Sequence, residues 1–312
     1  MKLVSYSPER KDEWNSFVAS AKNGLFMFNR DYMDYHSDRF TDHSLLLYDD
    51  AGRLLALFPA NLEDGVLYSH QGLTFGGFIT ASSMRASLML QAFEQLKTRL
   101  RETGIRNLIY KVIPYIYHRQ PAQEDIYALF RNQASYYRVD ISATVKIADR
   151  IPFSELRKRG LKKAHKAGVT IQQSHDLGSY MELVSMTLRD KYGTRPVHSA
   201  AELELLSGRF PDHLKLYTAQ IGDALVAGVF VFEYENLAHA QYIAASDEGL
   251  ACGALDALFS ELIVNVYCKK DYFDFGISTE DEGQFLNEGL ISQKEGFGAR
   301  AVCHEFFELR SD

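Results

Sequence analysis

The densest cluster of residues able to do chemistry in this sequence is basic. Within Leu156–Gly168, six cations (Arg157, Lys158, Arg159, Lys162, Lys163 and Lys166) fall inside ten positions. On a helix, Arg159, Lys162, Lys163 and Lys166 share one side through i, i+3 and i+4 spacing, where like charges repel unless an anion sits among them. Arg157, Arg159, Lys162 and Lys163 are therefore candidate clamps for the phosphates of a nucleotide-linked, CoA or RNA ligand. The alternative is a solvated basic face. The chain as a whole carries 34 Lys and Arg against 41 Asp and Glu, a formal net charge of −7. Its overall field repels nucleic acid and anionic membrane, so anion binding has to come from this local patch.

A second group of candidates lies in Phe273-Asp274-Phe275-Gly276-Ile277-Ser278-Thr279-Glu280 and in Lys294-Glu295-Gly296-Phe297-Gly298. A strand ending in Gly-x-Ser puts polar groups at a carboxyl edge, where open α/β sheets bind ligands. Asp274 alternates with Phe273 and Phe275, which turns it to the opposite face. Lys294 can neutralise charge developing on a carbonyl oxygen, or stand as a surface lysine of an amphipathic helix. Glu280 or Asp274 can accept a proton. Two glycine turns add backbone sites. In Ser246–Gly253, Gly249, Ala251 and Gly253 open a helix whose exposed N–H groups suit a pyrophosphate, although Asp247 and Glu248 sit where that anion would approach. In Gly72–Phe78, Gly76 and Gly77 permit close approach of the backbone to a ligand or to packed side chains.

Other chemistries lack a starting point. The ten His residues show no H-E-x-x-H or comparable metal pattern, and neither G-x-S-x-G nor G-x-x-x-x-G-K-[ST] occurs. Cys252, Cys268 and Cys303 are an odd number at no ligand spacing, which reads as reduced thiols in a cytoplasmic protein. No run approaches the roughly 20 apolar residues that span a bilayer, and Met1–Pro8 does not resemble a signal peptide. The expected location is the cytoplasm.

These candidates have to be held by a scaffold, and 312 residues suit two domains. The hydrophobic pattern is written twice. Short apolar runs at 44–48 and 54–58 flank a turn at 49–52, and runs at 214–219 and 226–233 flank Gly222-Asp223, each predicting a hairpin. Further strands follow around 66–68 and 239–243. Helical periodicity runs from Ser83 to Gly104 and again from Leu250 through Val266. Buried-looking strands come next at 107–113 and 272–277, then a helix and a closing strand near 136–146 and 300–309. Four pairs of landmarks (44 and 214, 83 and 250, 107 and 272, 136 and 300) are offset by 164 to 170 residues. The expected fold class is α/β (α+β), two tandem domains at 1–150 and 151–312, each a mixed, mostly antiparallel sheet flanked by helices. Ser154 is placed to cap the first helix of the second domain, with helices expected near 154–168 and 176–192.

Taken together, Arg157–Val169, the Gly72–Gly77 loop, and Asp274-Phe275-Gly276 with Asn287, Lys294 and Gly296-Phe297-Gly298 resemble tandem GNAT proteins of the FemABX-like group, peptidyltransferases and their relatives in cell-surface polysaccharide gene sets. The resemblance covers most of the chain. It implies two GNAT-like domains and a transferase that moves an acyl or aminoacyl group onto an amine of a sugar nucleotide or peptidoglycan-type precursor. The donor it implies is acyl-CoA or aminoacyl-tRNA, a co-substrate rather than a permanently bound cofactor. The Ser246–Gly253 turn departs from the family's Arg/Gln-x-x-Gly-x-Gly/Ala pyrophosphate loop. The rival expectation is a non-catalytic GNAT-like protein that binds a surface-glycan precursor or nucleic acid.

Overall fold

The computed structural model describes residues 1–312, the side chains of Lys191 and Tyr192 excepted. The chain divides into two compact units, one made of Met1–Asp140 with Cys303–Asp312 and the other of Ile141–Val302. The division thus comes ten residues before the junction expected at 150, and the chain's last ten residues belong to the first unit. Among the described residues no helix is long and apolar enough to cross a membrane.

The first unit opens with β1 (Lys2–Ser5), α1 (Lys11–Ser20), α2 (Arg30–Met33) and β2 (Thr41–Asp42). The predicted hairpin follows as β3 (Leu45–Tyr48) and β4 (Leu54–Phe58), then β5 (Asn61–Glu63), β6 (Val66–Tyr68) and β7 (Ile79–Thr80). β1, β3, β4 and β7 pair antiparallel in that order. α3 (Ala86–Glu102) presents Met89, Ala92, Phe93, Leu96 and Leu100 to a core that also holds Leu45, Leu47, Phe58, Leu108 and Tyr110. That three-and-four spacing is one helical face, and each large side chain fully buried there contributes about 1.5–3 kcal/mol. Gly104, at φ +72°, ends the helix as its position predicts. β8 (Asn107–Lys111) then pairs parallel with β6 and antiparallel with β17 (Arg300–Arg310). α4 (Glu124–Arg131) leads into β9 (Ser135–Lys146).

The second unit begins within β9. α5 (Glu155–Lys166) is started by Ser154, whose side chain accepts from the Arg157 N–H. It is followed by β10 (Val169–Ser174), α6 (Leu177–Tyr192) and α7 (Ala200–Arg209), the last opened by a capping box of Ser199 and Glu202. β11 (Leu214–Ile221) and β12 (Ala224–Glu233) form a hairpin across Gly222-Asp223, with Gly222 at φ +57°. β13 (Leu237–Ala245) extends this antiparallel sheet, whose order is β10, β11, β12, β13. The long helix expected from Leu250 is broken. α8 (Asp247–Cys252) stops at Gly253, and α9 (Ala254–Glu261) continues as a π-helical turn, Leu262–Val266. Gly253 sits at φ +82°, and a Cβ there would come within 2.5 Å of the Gly160 carbonyl oxygen, so the break is where α5 packs backbone to backbone on this helix pair. α9 buries Leu255, Leu258 and Phe259 in a core with Val229, Val231, Phe273 and Phe275. β14 (Tyr272–Ile277), the short pair β15 (Thr279–Glu280) and β16 (Phe285–Leu286), and α10 (Glu288–Glu295) complete the unit.

Candidate functional site

The second unit's sheet opens between β13 and β14. These strands pair parallel only through Leu237–Tyr272, Ala238–Phe273 and His239–Asp274, although β13 continues to Ala245. Each strand carries an irregularity just past the last pair. On β13 the register against β12 passes from Val231–Ala240 to Phe230–Tyr242, so Gln241 is an extra residue. On β14 the register against β9 shifts between Asp274 and Ile277, around Gly276 at φ +77°. Bulges bend strands and raise their twist, and here they flank the point where β13 and β14 part.

That point carries a buried polar cluster. Phe273 and Phe275 join the core with α9 while Asp274 turns to the other face, as alternation predicts. The Asp274 carboxylate is 0% exposed. Its Oδ1 accepts from Ser142 Oγ at 2.6 Å and Thr144 Oγ1 at 2.7 Å, both on β9, and its Oδ2 lies 2.7 Å from His239 Nδ1. A buried carboxylate is costly unless paired and hydrogen-bonded, and these three short contacts meet that requirement. With the Nδ1 proton held by Asp274, the imidazole lone pair lies on Nε2. Such a pair can accept a proton from a nucleophile.

The structure changes the roles expected of the other catalytic candidates. Asp274 is sealed behind His239 and meets a substrate only through it. Lys294 is buried rather than presented. Its Nζ donates to the carbonyl oxygens of Gly276 at 2.9 Å and Ile277 at 2.6 Å and to Ser278 Oγ at 2.9 Å, which engages all three ammonium hydrogens. Burial pushes this lysine down to about 8. It pins the end of β14, and no hydrogen is left for an oxyanion. Glu280 is exposed on β15 and accepts from Asn287 Nδ2 at 2.8 Å. In the first unit, Gly76 and Gly77 serve packing. A Cβ on Gly76 would meet the Ser69 carbonyl oxygen at 1.9 Å, and one on Gly77 the Tyr110 ring.

The remaining candidates do come together. Arg157, Arg159 and Lys163 of α5 line a cleft of about 430 Å³ with Gly249, Ala251 and Gly253 of the α8–α9 turn. Arg157 is committed within it, 2.7 Å from Asp256 and stacked over Phe297. Lys158 pairs with Glu155. Arg159, Lys162, Lys163 and Lys166 make no ion pair with a described residue, and Lys162 lies outside the cleft. The α8 amino terminus is closed on itself. Ser246 Oγ accepts from the Gly249 N–H and the Ser246 carbonyl from the Leu250 N–H, while Asp247 and Glu248 fill the first turn. Gly249 itself packs on the Val226 carbonyl. A pyrophosphate fits this end poorly, and the cleft's cations come from α5 instead. Among the described residues no group of three or more His, Cys, Asp or Glu is placed to hold a metal.

Sequence reasoning placed His239 on a strand and missed its role. The usable signal was a histidine flanked by alanines in a β run, 35 residues before an aspartate flanked by phenylalanines. Each polar residue breaks an apolar strand on the same alternation, but only the parallel register makes them neighbours.

Comparison with known proteins places this geometry. Residues 155–282 match the family model of the acetyltransferase (GNAT) domain. No curated protein sequence matches the chain. Among solved structures the chain is similar to FemX, with a TM-score of 0.68 at 11% identity over 98% of this chain and 97% of that one. It is also similar to L-PGS from Bacillus licheniformis, with a TM-score of 0.62 at 14% identity over 99% and 93%. A tandem GNAT protein from the clavulanic acid biosynthesis pathway matches with a TM-score of 0.50 at 14% identity over 100% and 98%. The opening between β13 and β14 therefore lies in a GNAT domain, within a chain that has the tandem GNAT fold of FemX-like proteins.

Proposed function

We propose that the second unit is an N-acyltransferase, moving an acyl or aminoacyl group from acyl-CoA or aminoacyl-tRNA to an amine of a cell-envelope or polysaccharide precursor, such as a sugar nucleotide or peptidoglycan-type acceptor. The observation that carries this reading is the His239–Asp274 pair at the point where β13 and β14 separate in a GNAT domain. The acceptor amine attacks the carbonyl carbon of the donor while His239 Nε2 takes one of its protons. The tetrahedral intermediate then collapses, breaking the carbon–sulfur bond of a thioester or the carbon–oxygen bond of an aminoacyl ester. The leaving sulfur or oxygen departs with the bonding electrons and receives the proton. Asp274 keeps the imidazole in one orientation and stabilises the imidazolium formed on the way.

The donor's phosphates are assigned to Arg159 and Lys163, since α8 carries acids at its first turn and α5 supplies the cations of the adjoining cleft. Lys162 adds to the field from outside that cleft. The match of FemX and L-PGS to the fold is what extends the donor class to aminoacyl-tRNA. The decisive experiment incubates purified protein with radiolabelled acetyl-CoA and, separately, with a pool of charged tRNA, in the presence of amino-sugar acceptors. Label transferred to an amine supports the reading and names the donor. A protein that binds amino-sugars yet transfers label from neither pool is the non-catalytic alternative.

A further inference from the structure

The extra residue on β13 has an unmet need. Gln241 stands two positions beyond His239, where β13 has left β14 and where the β12 register skips it. The residue is half-buried, yet its side-chain Oε1 is shut off from solvent and has no hydrogen-bond partner among the described residues. A buried acceptor left without a donor costs about 1–3 kcal/mol. Structures keep such groups where something else supplies the missing partner. The atom beside this site that a ligand can bring is an N–H.

We infer that Gln241 Oε1 receives an N–H of the acceptor amine, making Gln241 the residue that selects amine over hydroxyl acceptors. This rests on the acyl-transfer reading of the same site and deepens it. A neutral primary amine carries two hydrogens. One passes to His239 Nε2 as the carbon–nitrogen bond forms. The other stays on nitrogen throughout and ends as the N–H of the product amide, so Gln241 can hold it in the reactant, the intermediate and the product. Two acceptors on one strand fix the amine's rotation and aim its lone pair at the donor carbonyl. A hydroxyl acceptor has a single hydrogen, which His239 takes, and Gln241 Oε1 is then buried unpaired. Sites that reject an analogue for want of one hydrogen bond discriminate strongly for this reason.

The test separates recognition from transfer. D-glucosamine and D-glucose, which differ by this amine and hydroxyl, are titrated into the full chain by calorimetry. The unmodified protein is expected to bind glucosamine about tenfold more tightly, the size of one buried hydrogen bond. Gln241→Met removes the acceptor at nearly constant volume and should erase the preference. Gln241→Glu keeps an acceptor oxygen at the same reach and should retain it, which controls for a variant that merely packs badly. Equal affinities in the unmodified protein, or a preference that survives Gln241→Met, overturns the inference. A normal preference lost in Gln241→Met, with no transfer from any labelled donor, upholds Gln241 as an amine-recognition residue and rejects catalysis instead.

Discussion

The two units build the same junction and finish it differently. In the first, β6 and β8 pair parallel through Val66–Asn107, Leu67–Leu108 and Tyr68–Ile109. In the second, β13 and β14 pair through Leu237–Tyr272, Ala238–Phe273 and His239–Asp274. Each junction has three pairs, and in each the strands then diverge. Where the second unit has His239 and Asp274, the first has Tyr68 and Ile109. Beyond that pair the first unit is closed by its own chain. The Ser69 N–H donates to the Ile109 carbonyl at 2.9 Å, and Ser69 Oγ accepts the Lys111 N–H at 2.7 Å. The buried Lys111 Nζ donates to the carbonyl oxygens of His70 and Leu73 at 3.0 and 2.7 Å. The difference teaches that the parallel pair is scaffold, and that chemistry depends on what occupies the gap after it: a strapped loop in one unit, an imidazole–carboxylate pair in the other.

The largest expected effect breaks this comparison at the pair itself. His239→Ala should lower kcat for transfer about 10²- to 10⁴-fold, the range of a lost general base, with KM changed far less. Asp274→Asn should fall in the same direction and shift the pH–rate profile, since it leaves the imidazole without its anionic partner. Steady-state kinetics with matched circular dichroism spectra checks both. A folded His239→Ala enzyme with unchanged kcat would remove the distinction between the two junctions.

The next effect sharpens what the junctions share. Both are tied by a buried lysine that donates to backbone carbonyls, Lys111 in β8 and Lys294 in α10. Replacing either with Met leaves buried acceptors unpaired and should cost about 1–3 kcal/mol of stability. Only Lys294→Met should also reduce transfer, by loosening Gly276–Ser278 beside Asp274. Denaturant melts and kinetics on the two variants tell these outcomes apart; equal losses of transfer would make the first junction part of the active site.

How much of this was legible beforehand follows from the same residues. The hairpins, α3, α5, and β8 and β14 could be read because each rests on local periodicity and on local stop signals such as Ser154 and Gly104. The break at Gly253 could not, because its cause is contact with Gly160, some 93 positions away in the sequence. The basic helix and the α8 glycines were rightly singled out and do share a cleft, yet Arg157 is spent on Asp256, which no spacing rule connects to it. Lys294 had the right residue type and the wrong surroundings, since its three carbonyl and hydroxyl partners are created by the bend after Asp274. His239 was hidden because its meaning depends on strand register, which is a tertiary fact.

A smaller effect uses pH. Burial pushes the His70 imidazole down to about 3 and His118 down to about 4, and lowers His36, all in the first unit. Between these values and 6.5 the unfolded chain binds protons that the folded unit refuses, so stability falls as pH drops below 6.5. Asp125, raised to about 6 by burial, works the other way, because the folded unit holds its proton more tightly than the unfolded chain does. Several imidazoles against one carboxyl leave a net loss on acidification, at about 1.4 kcal/mol per pH unit for each net proton. The melting temperature should therefore fall from pH 7 to pH 5. His70→Asn, which tolerates the left-handed backbone at φ +67°, should flatten that slope. A slope unchanged in this variant would place the acid sensitivity elsewhere.

The smallest effect concerns the helices that precede each sheet. α1 opens with Lys11-Asp12-Glu13, of mixed sign, whereas α5 gathers Arg159, Lys162, Lys163 and Lys166 on exposed positions. Part of that charge has a local reason: Lys163, His165 and Lys166 lie in the last turn, where cations suit the helix dipole. Arg159 has no such reason, and it lines the cleft with Lys163. Reversing Arg159 or Lys163 to Glu should raise the donor KM roughly two- to fivefold each, the scale of an exposed ion pair, with kcat unchanged. The penalty should shrink in high salt, because exposed charges are screened within about 8 Å at physiological ionic strength and more closely above it. Lys162→Glu, outside the cleft, should do less than either. A donor KM indifferent to all three reversals would make α5 a solvated basic face, and the phosphate-binding difference between the two units would disappear with it.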